Sequence, residues 1–382
     1  MSAAGHAKLR PLGYNNPQSS IYGHVRPPSI SVHRLPEFPT AMRYQVLTKS
    51  FSRLFVRGLF SGAVGLCVAG LTPPVMAEDE PGVYVTPEEA PVDYQYQGEY
   101  VGKAGEELIR YGAQVIALGN DKFQLVGYAG GLPGDGWDST TEKIELDGQL
   151  EGDQVVFKSD VFTVSIDKSG TMTPVSNEDG VNRGELNKVV RESPTLGATP
   201  PAGAIVLFDG TSADAFKNGK IVQDNLLLAD CESKQKFGDH VMHLEFRTPF
   251  KPLGRGQGRG NSGVYIQGRY EVQVLDSFGL SGENNECGGI YQVGKPKVNM
   301  CYPPLQWQTY DIDFTAAKYD DAGKKISNAR VTVKHNGVVI HDDLELPKQT
   351  PGKYQEANEP GPLYLQGHGN PVVYRNIWAV AK

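Results

Sequence analysis

The stretch Arg259–Gly279, RGNSGVYIQGRYEVQVLDSFG, decides the fold. It opens as a Gly-rich turn and continues as two strands. Val264, Ile266, Val272 and Val274 alternate with Tyr265, Gln267, Glu271 and Gln273. A period of two buries one face and leaves amides and a carboxylate on the other. Such a polar sheet face is what a sugar-binding surface requires. Gly258, Gly260 and Gly263 match a dinucleotide fingerprint by letter, but they precede a strand and no β-α-β unit surrounds them. Residues 254–263, GRGQGRGNSG, read instead as a flexible loop over a binding face, with Arg255 and Arg259 reaching in or solvated.

The neighbouring pattern is of the same kind. In VMHLEFRTP (Val241–Pro249), Met242, Leu244 and Phe246 face one way and His243, Glu245 and Arg247 the other. Three ionisable side chains in a row cannot sit unpaired in an apolar core. They line a polar groove or form a solvated outer face with cross-strand ion pairs. His368 lies between glycines in QGHGNP, where the backbone can turn sharply and leave the ring accessible. Imidazole suits acid–base work or metal ligation, and a turn-stabilising role is the alternative. His335 and His341 belong to a hairpin and are expected at the surface. Asn336-Gly337 between ARVTVK and VVIHDD is a strong hairpin turn.

From Ala204 to Lys382 short strands recur with almost no helical periodicity, which indicates a sandwich or jelly roll. Residues 93–192 read as a small antiparallel β domain, with one short helix expected near Ala104–Arg110. Asn120-Asp121, Asp147-Gly148 and Lys168-Ser169-Gly170 are its expected turns. SPTLGATPPAG (193–203) is the linker, and the acidic, Pro-containing 78–92 carries no core pattern. Trp137, in the tight loop GLPGDGWD (Gly131–Asp138), either stacks on a sugar or plugs the small domain.

The N-terminal part reads differently. Arg43, Lys49, Arg53 and Arg57 precede the 13-residue apolar run Leu59–Leu71 and the small-residue site Val75-Met76-Ala77. That is the pattern of a secretory signal over 42–77, with a run too short to span a bilayer. Residues 1–41 read as an extension from a start codon placed too early, Met42 being the expected initiator; a genuine cytosolic extension that buries the signal is the alternative. Removing 1–77 takes away 8 of the 37 Lys and Arg and 1 of the 44 Asp and Glu, leaving a net charge of −14. Such a surface repels phosphate backbones and argues against nucleic acid. The expected location is the periplasm or the extracellular space, with no transmembrane segment in the mature chain. In that oxidising setting Cys287 and Cys301 are the expected disulfide pair, since they bracket a Gly/Pro-rich loop. Closing about 15 residues contributes on the order of 3 kcal/mol in the chain-entropy model. Three buried thiols, Cys231 included, are the alternative.

LFDGTS (Leu207–Ser212), the Asn261–Gly279 block, CGGIY (Cys287–Tyr291), WQTYDIDF (Trp307–Phe314), NARVTVKHNGVVIH (Asn328–His341) and GPLYLQGHGNPVVYRNIW (Gly361–Trp378) together resemble the 3-keto-disaccharide hydrolase family over about 204–380. The resemblance implies a concanavalin A-like jelly-roll sandwich behind the small β domain. It also implies cleavage of a 3-keto-glycoside supplied by a sugar 3-dehydrogenase. A base removes the C2 proton acidified by the ketone, the C1 oxygen leaves by elimination, and water can then add. That route needs a base, an enolate stabiliser and an acid, and a divalent metal is a candidate stabiliser. Within it Glu245, Glu271 and His368 are the expected catalytic groups, and His243, Glu245 and His368 the expected metal ligands. Asn261, Gln273, Asp276, Gln366 and Arg375 are expected to position sugar hydroxyls, with Asp276 open to either class. The competing reading is a non-catalytic carbohydrate-binding or cell-envelope module. An enzyme should gather His243, Glu245, Glu271 and His368 in one pocket, whereas a lectin should present aromatic platforms with scattered amides.

Overall fold

The computed structural model describes residues 82–382. The expected N-terminal extension, the signal segment 42–77 and residues 78–81 lie outside them. A four-residue helix, α1 (Asp93–Tyr96), leads into eight antiparallel strands that close into a barrel. These are β1 (Gly98–Ala104), β2 (Ile109–Gly119), β3 (Lys122–Ala129), β4 (Lys143–Glu151), β5 (Gln154–Lys158), β6 (Phe162–Ile166), β7 (Thr171–Ser176) and β8 (Gly184–Val189). Closure through β1–β8 pairing leaves no free edge. Period-two alternation fills the interior with Tyr100, Val115, Phe123, Phe157, Val164, Ile166 and Leu186.

Two expectations fail here. Residues 104–110 are the β1–β2 hairpin, not a helix. Asp147-Gly148 is no turn but the middle of β4, because the Phe157 ring across the strand pair occupies the space of a Gly148 side chain, 2.3 Å from where its Cβ would sit. Asn120-Asp121 does turn, with both residues at positive φ. The segment before the barrel is also better anchored than its composition suggests. Val83 and Val85 are buried, and Tyr84 exchanges two backbone hydrogen bonds with Phe250.

Beyond the 193–203 linker come β9 (Ile205–Phe208), β10 (Phe216–Lys217), β11 (Ile221–Val222), β12 (Leu226–Leu228), β13 (Cys231–Phe237), β14 (His240–Arg247), β15 (Ser262–Ile266) and β16 (Tyr270–Val274). They are followed by β17 (Gln308–Thr315), β18 (Lys318–Tyr319), β19 (Lys325–Ser327), β20 (Ala329–His335), β21 (Val338–Leu346), β22 (Gly361–Leu365) and β23 (Val373–Ala381). A five-stranded sheet, β10-β13-β22-β15-β16, packs on an eight-stranded one, β11-β12-β23-β14-β17-β20-β21 with β9 beside β23; β18 and β19 pair separately. The chain is an all-β sandwich behind a β barrel. Its core joins Met242, Leu244 and Phe246 of β14 to Val264, Ile266, Val272 and Val274 of β15–β16. The Asn336-Gly337 hairpin forms as its residue types dictate, at φ 49° and 79°. His335 and His341, expected at the surface, are buried instead, and burial pushes the His335 ring down to about 3.

The barrel and the sandwich share packing. Phe250 enters the barrel cluster and Phe278 packs on Ile116, Val126 and Tyr128. Arg259, expected in a flexible loop, is buried in an ion pair with Asp276 (2.6 Å), with its guanidinium reaching Ala117 O of β2. Cys287 and Cys301 are buried side by side as free thiols, not bonded. The Cys287 thiol meets the Tyr310 hydroxyl at 3.3 Å, and Cys301 Sγ lies 3.5 Å from Leu275 O.

Candidate functional site

The polar residues singled out along the sequence separate onto two faces. On β14 the even-numbered apolar side chains enter the core, so His243 and Glu245 point out of the eight-stranded sheet. On β16 Val272 and Val274 enter the core, so Glu271 and Gln273 point out of the five-stranded sheet. The core therefore lies between Glu245 and Glu271.

The five-stranded face is built from registers. Glu232 of β13 stands opposite Tyr364 of β22, Tyr364 opposite Tyr265 of β15, and Tyr265 opposite Glu271 of β16. One cross-strand row thus carries two carboxylates at its ends and two phenols between them. The carboxylates sit in opposite environments. Burial resists ionisation of Glu232, but hydrogen bonds from Lys217, Lys353 and Tyr354 outweigh it and hold the carboxyl down at about 2. Burial dominates at Glu271 and pushes it up to about 7, only partly offset by the Tyr265 hydroxyl. Two carboxyls on one sheet face with separated pKa values are the usual arrangement for distinct acid–base roles.

Around Glu271 the amides converge. The Gln273 amide, turned so that its nitrogen faces acceptors, donates to Ser262 O (2.8 Å) and Glu271 Oε1 (3.0 Å). Gln366 donates to the Tyr265 hydroxyl at 3.2 Å, and that hydroxyl donates to Pro351 O at 3.0 Å. Asn261 is buried; its nitrogen donates to Gln257 O at 3.0 Å, while its Oδ1 has no partner. A buried acceptor without a donor marks a place where a ligand hydroxyl would be favoured. The Thr350–Tyr354 segment straps this face. Thr350 Oγ1 accepts the Glu271 N–H (2.9 Å), and Gly352 lies flat on the Tyr265 ring. Beside the strap is a cavity of about 410 Å³ lined by Tyr291, Gln292, Lys348, Gln349, Pro351 and Gln355. His368 is exposed in the turn two residues past Gln366. Asn370 in that turn accepts the Gly260 N–H at 3.2 Å, which sets it beside the Gly256–Asn261 loop.

The opposite face is fully engaged. Glu245 Oε1 accepts the Gly197 N–H (2.6 Å) and the Asn376 amide (2.9 Å), and Oε2 accepts Arg375 Nε (2.6 Å). His243 Nδ1 contacts Asp311 Oδ1 at 2.7 Å, and the ring stacks on Trp378. Asn376 and Trp378 both donate to Ala198 O. Burial opposes charge at both residues, yet these hydrogen bonds hold Glu245 down at about 2 and raise His243 above its ordinary value. Arg375 also stacks over Trp307, 3.9 Å from the ring centre. The cluster fastens the 193–203 linker to the sheet.

The structure therefore brings Glu271, Asn261, Gln273 and Gln366 together, with His368 exposed in the turn that follows Gln366. It places His243, Glu245 and Arg375 across the core and engages Asp276 with Arg259. The expected ligand trio of His243, Glu245 and His368 is not assembled. Among the described residues no three His, Cys, Asp or Glu are grouped to hold a metal ion. Trp137 packs edge-on against Tyr128 of the barrel. Sequence reasoning missed Glu232 and Tyr364, which become visible only once β13 and β22 are aligned; Tyr265 was signalled by its alternation with Val264 and Ile266.

Residues 203–380 match the 3-keto-alpha-glucoside-1,2-lyase-like domain family. Among solved structures, a candidate glycosyl hydrolase from Parabacteroides distasonis is 35% identical. The match covers 48% of this chain and 85% of that one, with a TM-score of 0.44. A second such protein of that organism is 19% identical over 47% of this chain and 99% of that one, with a TM-score of 0.35. No curated protein matches the chain.

Proposed function

Because residues 203–380 belong to the 3-keto-alpha-glucoside-1,2-lyase-like domain family, a family of glycoside-acting enzymes, we propose that the chain cleaves 3-keto-glycosides at the Glu271 face of its sandwich. The observation that carries this reading is the buried Glu271 carboxyl, raised to about 7 among converging amides. A base at neutral pH is most effective with a pKa near that pH. In the proposed reaction Glu271 takes the C2 proton and the electron pair moves into the C3 carbonyl as an enolate. Its collapse restores the ketone, forms the C1–C2 double bond and expels the glycosidic oxygen, which takes a proton from His368. Water adding across C1–C2 gives net hydrolysis. Asn261 Oδ1 accepts a sugar hydroxyl, and the Gln273 and Gln366 amides orient the ring.

A sugar 3-dehydrogenase acting beforehand is part of this proposal, because the chemistry requires the ketone. Export is a further part, resting on the basic and apolar pattern of residues 42–77. N-terminal sequencing of the secreted protein tests it: a mature end near residue 78 supports it, and an intact Met1 or Met42 overturns it. The experiment for the activity is release of aglycone from a 3-keto-glucoside by the purified protein and by Glu271→Gln. Release that is lost in a folded variant supports the reading.

A non-catalytic carbohydrate-binding module is the second reading. The separation of His243 and Glu245 from Glu271 favours it, as does the half-buried ring of Tyr364 on the outer face of the five-stranded sheet. Binding of unoxidised glycosides without turnover of any 3-keto-glycoside would select it.

A further inference from the structure

The barrel has two unlike ends. At one, Tyr96 of α1, Phe250 and Leu305 cluster with Tyr100 and Phe123 and close the interior. At the other, where the hairpins β1–β2, β5–β6 and β7–β8 turn, the interior is an open cavity of about 280 Å³. Its inner wall is Ala113, Leu125, Val164, Met172 and Leu186. The space exists because Ala113 and Gly127 stand where neighbouring strands place large residues. Apolar side chains also stand at the mouth: Val161 is 71% exposed, and Leu108 and Val181 are exposed on the adjoining hairpins.

We propose that this cavity is a binding site for the single aliphatic chain of a neutral amphiphile. The shape argues for a chain: a hole walled by eight strands admits one slender group, not a protein face. At about 30 Å³ per water-sized group, it takes roughly nine such groups, the scale of a medium-length alkyl chain. Ala113, Leu125, Val164, Met172 and Leu186 offer no side-chain hydrogen-bond partner, and the Tyr111 hydroxyl lies one step nearer the mouth, so nothing at depth would compensate a polar ligand for lost water. The charges lie at the rim, and they select the head group. Glu106 and Glu178 line the mouth, and Arg183, the cation among the lining residues, pairs with Asp179 at 2.5 Å. A carboxylate head would meet two acids and an arginine already engaged. A neutral head, such as the sugar of an alkyl glycoside, meets no such repulsion and finds Ser176 and the rim carboxylates as hydrogen-bond partners.

The test uses the purified protein with the neutral fluorophore N-phenyl-naphthylamine as probe. The expected result is saturable one-site binding with a blue-shifted emission. Octyl glucoside below its micellar concentration should displace the probe, and octanoate should do so about tenfold less well. Ala113→Leu, which fills the interior, should weaken probe binding about tenfold or more. Should that variant fail to fold, Val161→Glu at the exposed mouth supplies the same readout. Absence of saturable binding overturns the proposal, as does undiminished binding in a variant that keeps the wild-type melting transition. Octanoate competing as well as octyl glucoside overturns the assignment of a neutral head.

Discussion

Gly263 of β15 lies diagonal to Glu271 of β16, and a Cβ on residue 263 would come within 2.3 Å of Glu271 Oε1. The same Cβ would lie 2.9 Å from the Tyr265 ring. The glycine is therefore required by the carboxylate and not by the backbone, since its φ is not in the left-handed region. Gly263→Ala should fold, because the end of a glutamate can swing aside. It should nonetheless lower kcat for 3-keto-glycoside cleavage at least about tenfold, as small displacements of a catalytic group cost that much or more. Steady-state kinetics beside a thermal melt checks this, and wild-type kcat in the variant would remove Glu271 from the mechanism.

The raised Glu271 carboxyl gives two pH signatures. As a base it acts deprotonated, so kcat/KM should rise with pH through about 7 and fall about tenfold per unit well below that. Stability should move the other way. The folded state holds this proton more tightly than the unfolded chain, where the value is 4.5, so the contribution of Glu271 falls as pH rises from about 4.5 to about 7. Above pH 7 Glu271→Gln should be the more stable protein by at most about 3 kcal/mol, and below pH 4.5 the two should coincide. Denaturant melts at pH 4 and pH 8 decide it.

The thiols make a third test. Cys231, Cys287 and Cys301 are all buried, and burial pushes the Cys231 thiol up to about 12. Burial opposes ionisation of Cys287 too, but neighbouring hydrogen bonds lower that thiol instead, so its protection rests on burial alone. Alkylation by iodoacetamide should spare all three in the native protein and reach them after denaturation. Mass spectrometry under non-reducing conditions checks this. A mass lower by two hydrogens and resistant to alkylation at Cys287 and Cys301 would restore the disulfide that their spacing suggested.

What was legible in the sequence follows the range of each signal. The alternation around Val264–Val274 and in Val241–Phe246 is local, so sandwich strands and their polar faces could be read directly. Asn336-Gly337 and Asn120-Asp121 need positive φ at both residues, and they turned. Asp147-Gly148 is a turn pair of the same kind, yet the demand for a glycine there comes from Phe157 on another strand, which no local pattern reveals. The site was legible by half for the same reason. Alternation tells which side chains leave the core, not which of two sheets they leave. His243 and Glu245 were thus placed with Glu271 although the core divides them, and Glu232, far away in sequence, was missed.

The His243–Glu245–Arg375 cluster then predicts a structural phenotype without a catalytic one. Glu245 is completely buried and its two oxygens take three hydrogen bonds, one of them from the linker at Gly197. Glu245→Gln removes the charge that His243 and Arg375 face, and breaking a buried pair in this way costs about 3 kcal/mol or more. The loss should depend on pH in a definite window. Glu245 is held at about 2, so its contribution is complete above the unfolded value of 4.5 and is lost as pH falls through that range. His243 is raised above 6.5, so its contribution is complete below 6.5 and is lost as pH rises through the folded value. The difference between wild type and Glu245→Gln should therefore be largest between about pH 4.5 and 6.5 and shrink on both sides. Limited proteolysis should cut the variant first at 193–203, where the clasp is lost. Its kcat per folded molecule should match wild type, since Glu245 lies across the core from Glu271. A variant that melts like wild type but loses turnover would return Glu245 to the chemistry and displace the Glu271 face as the active site.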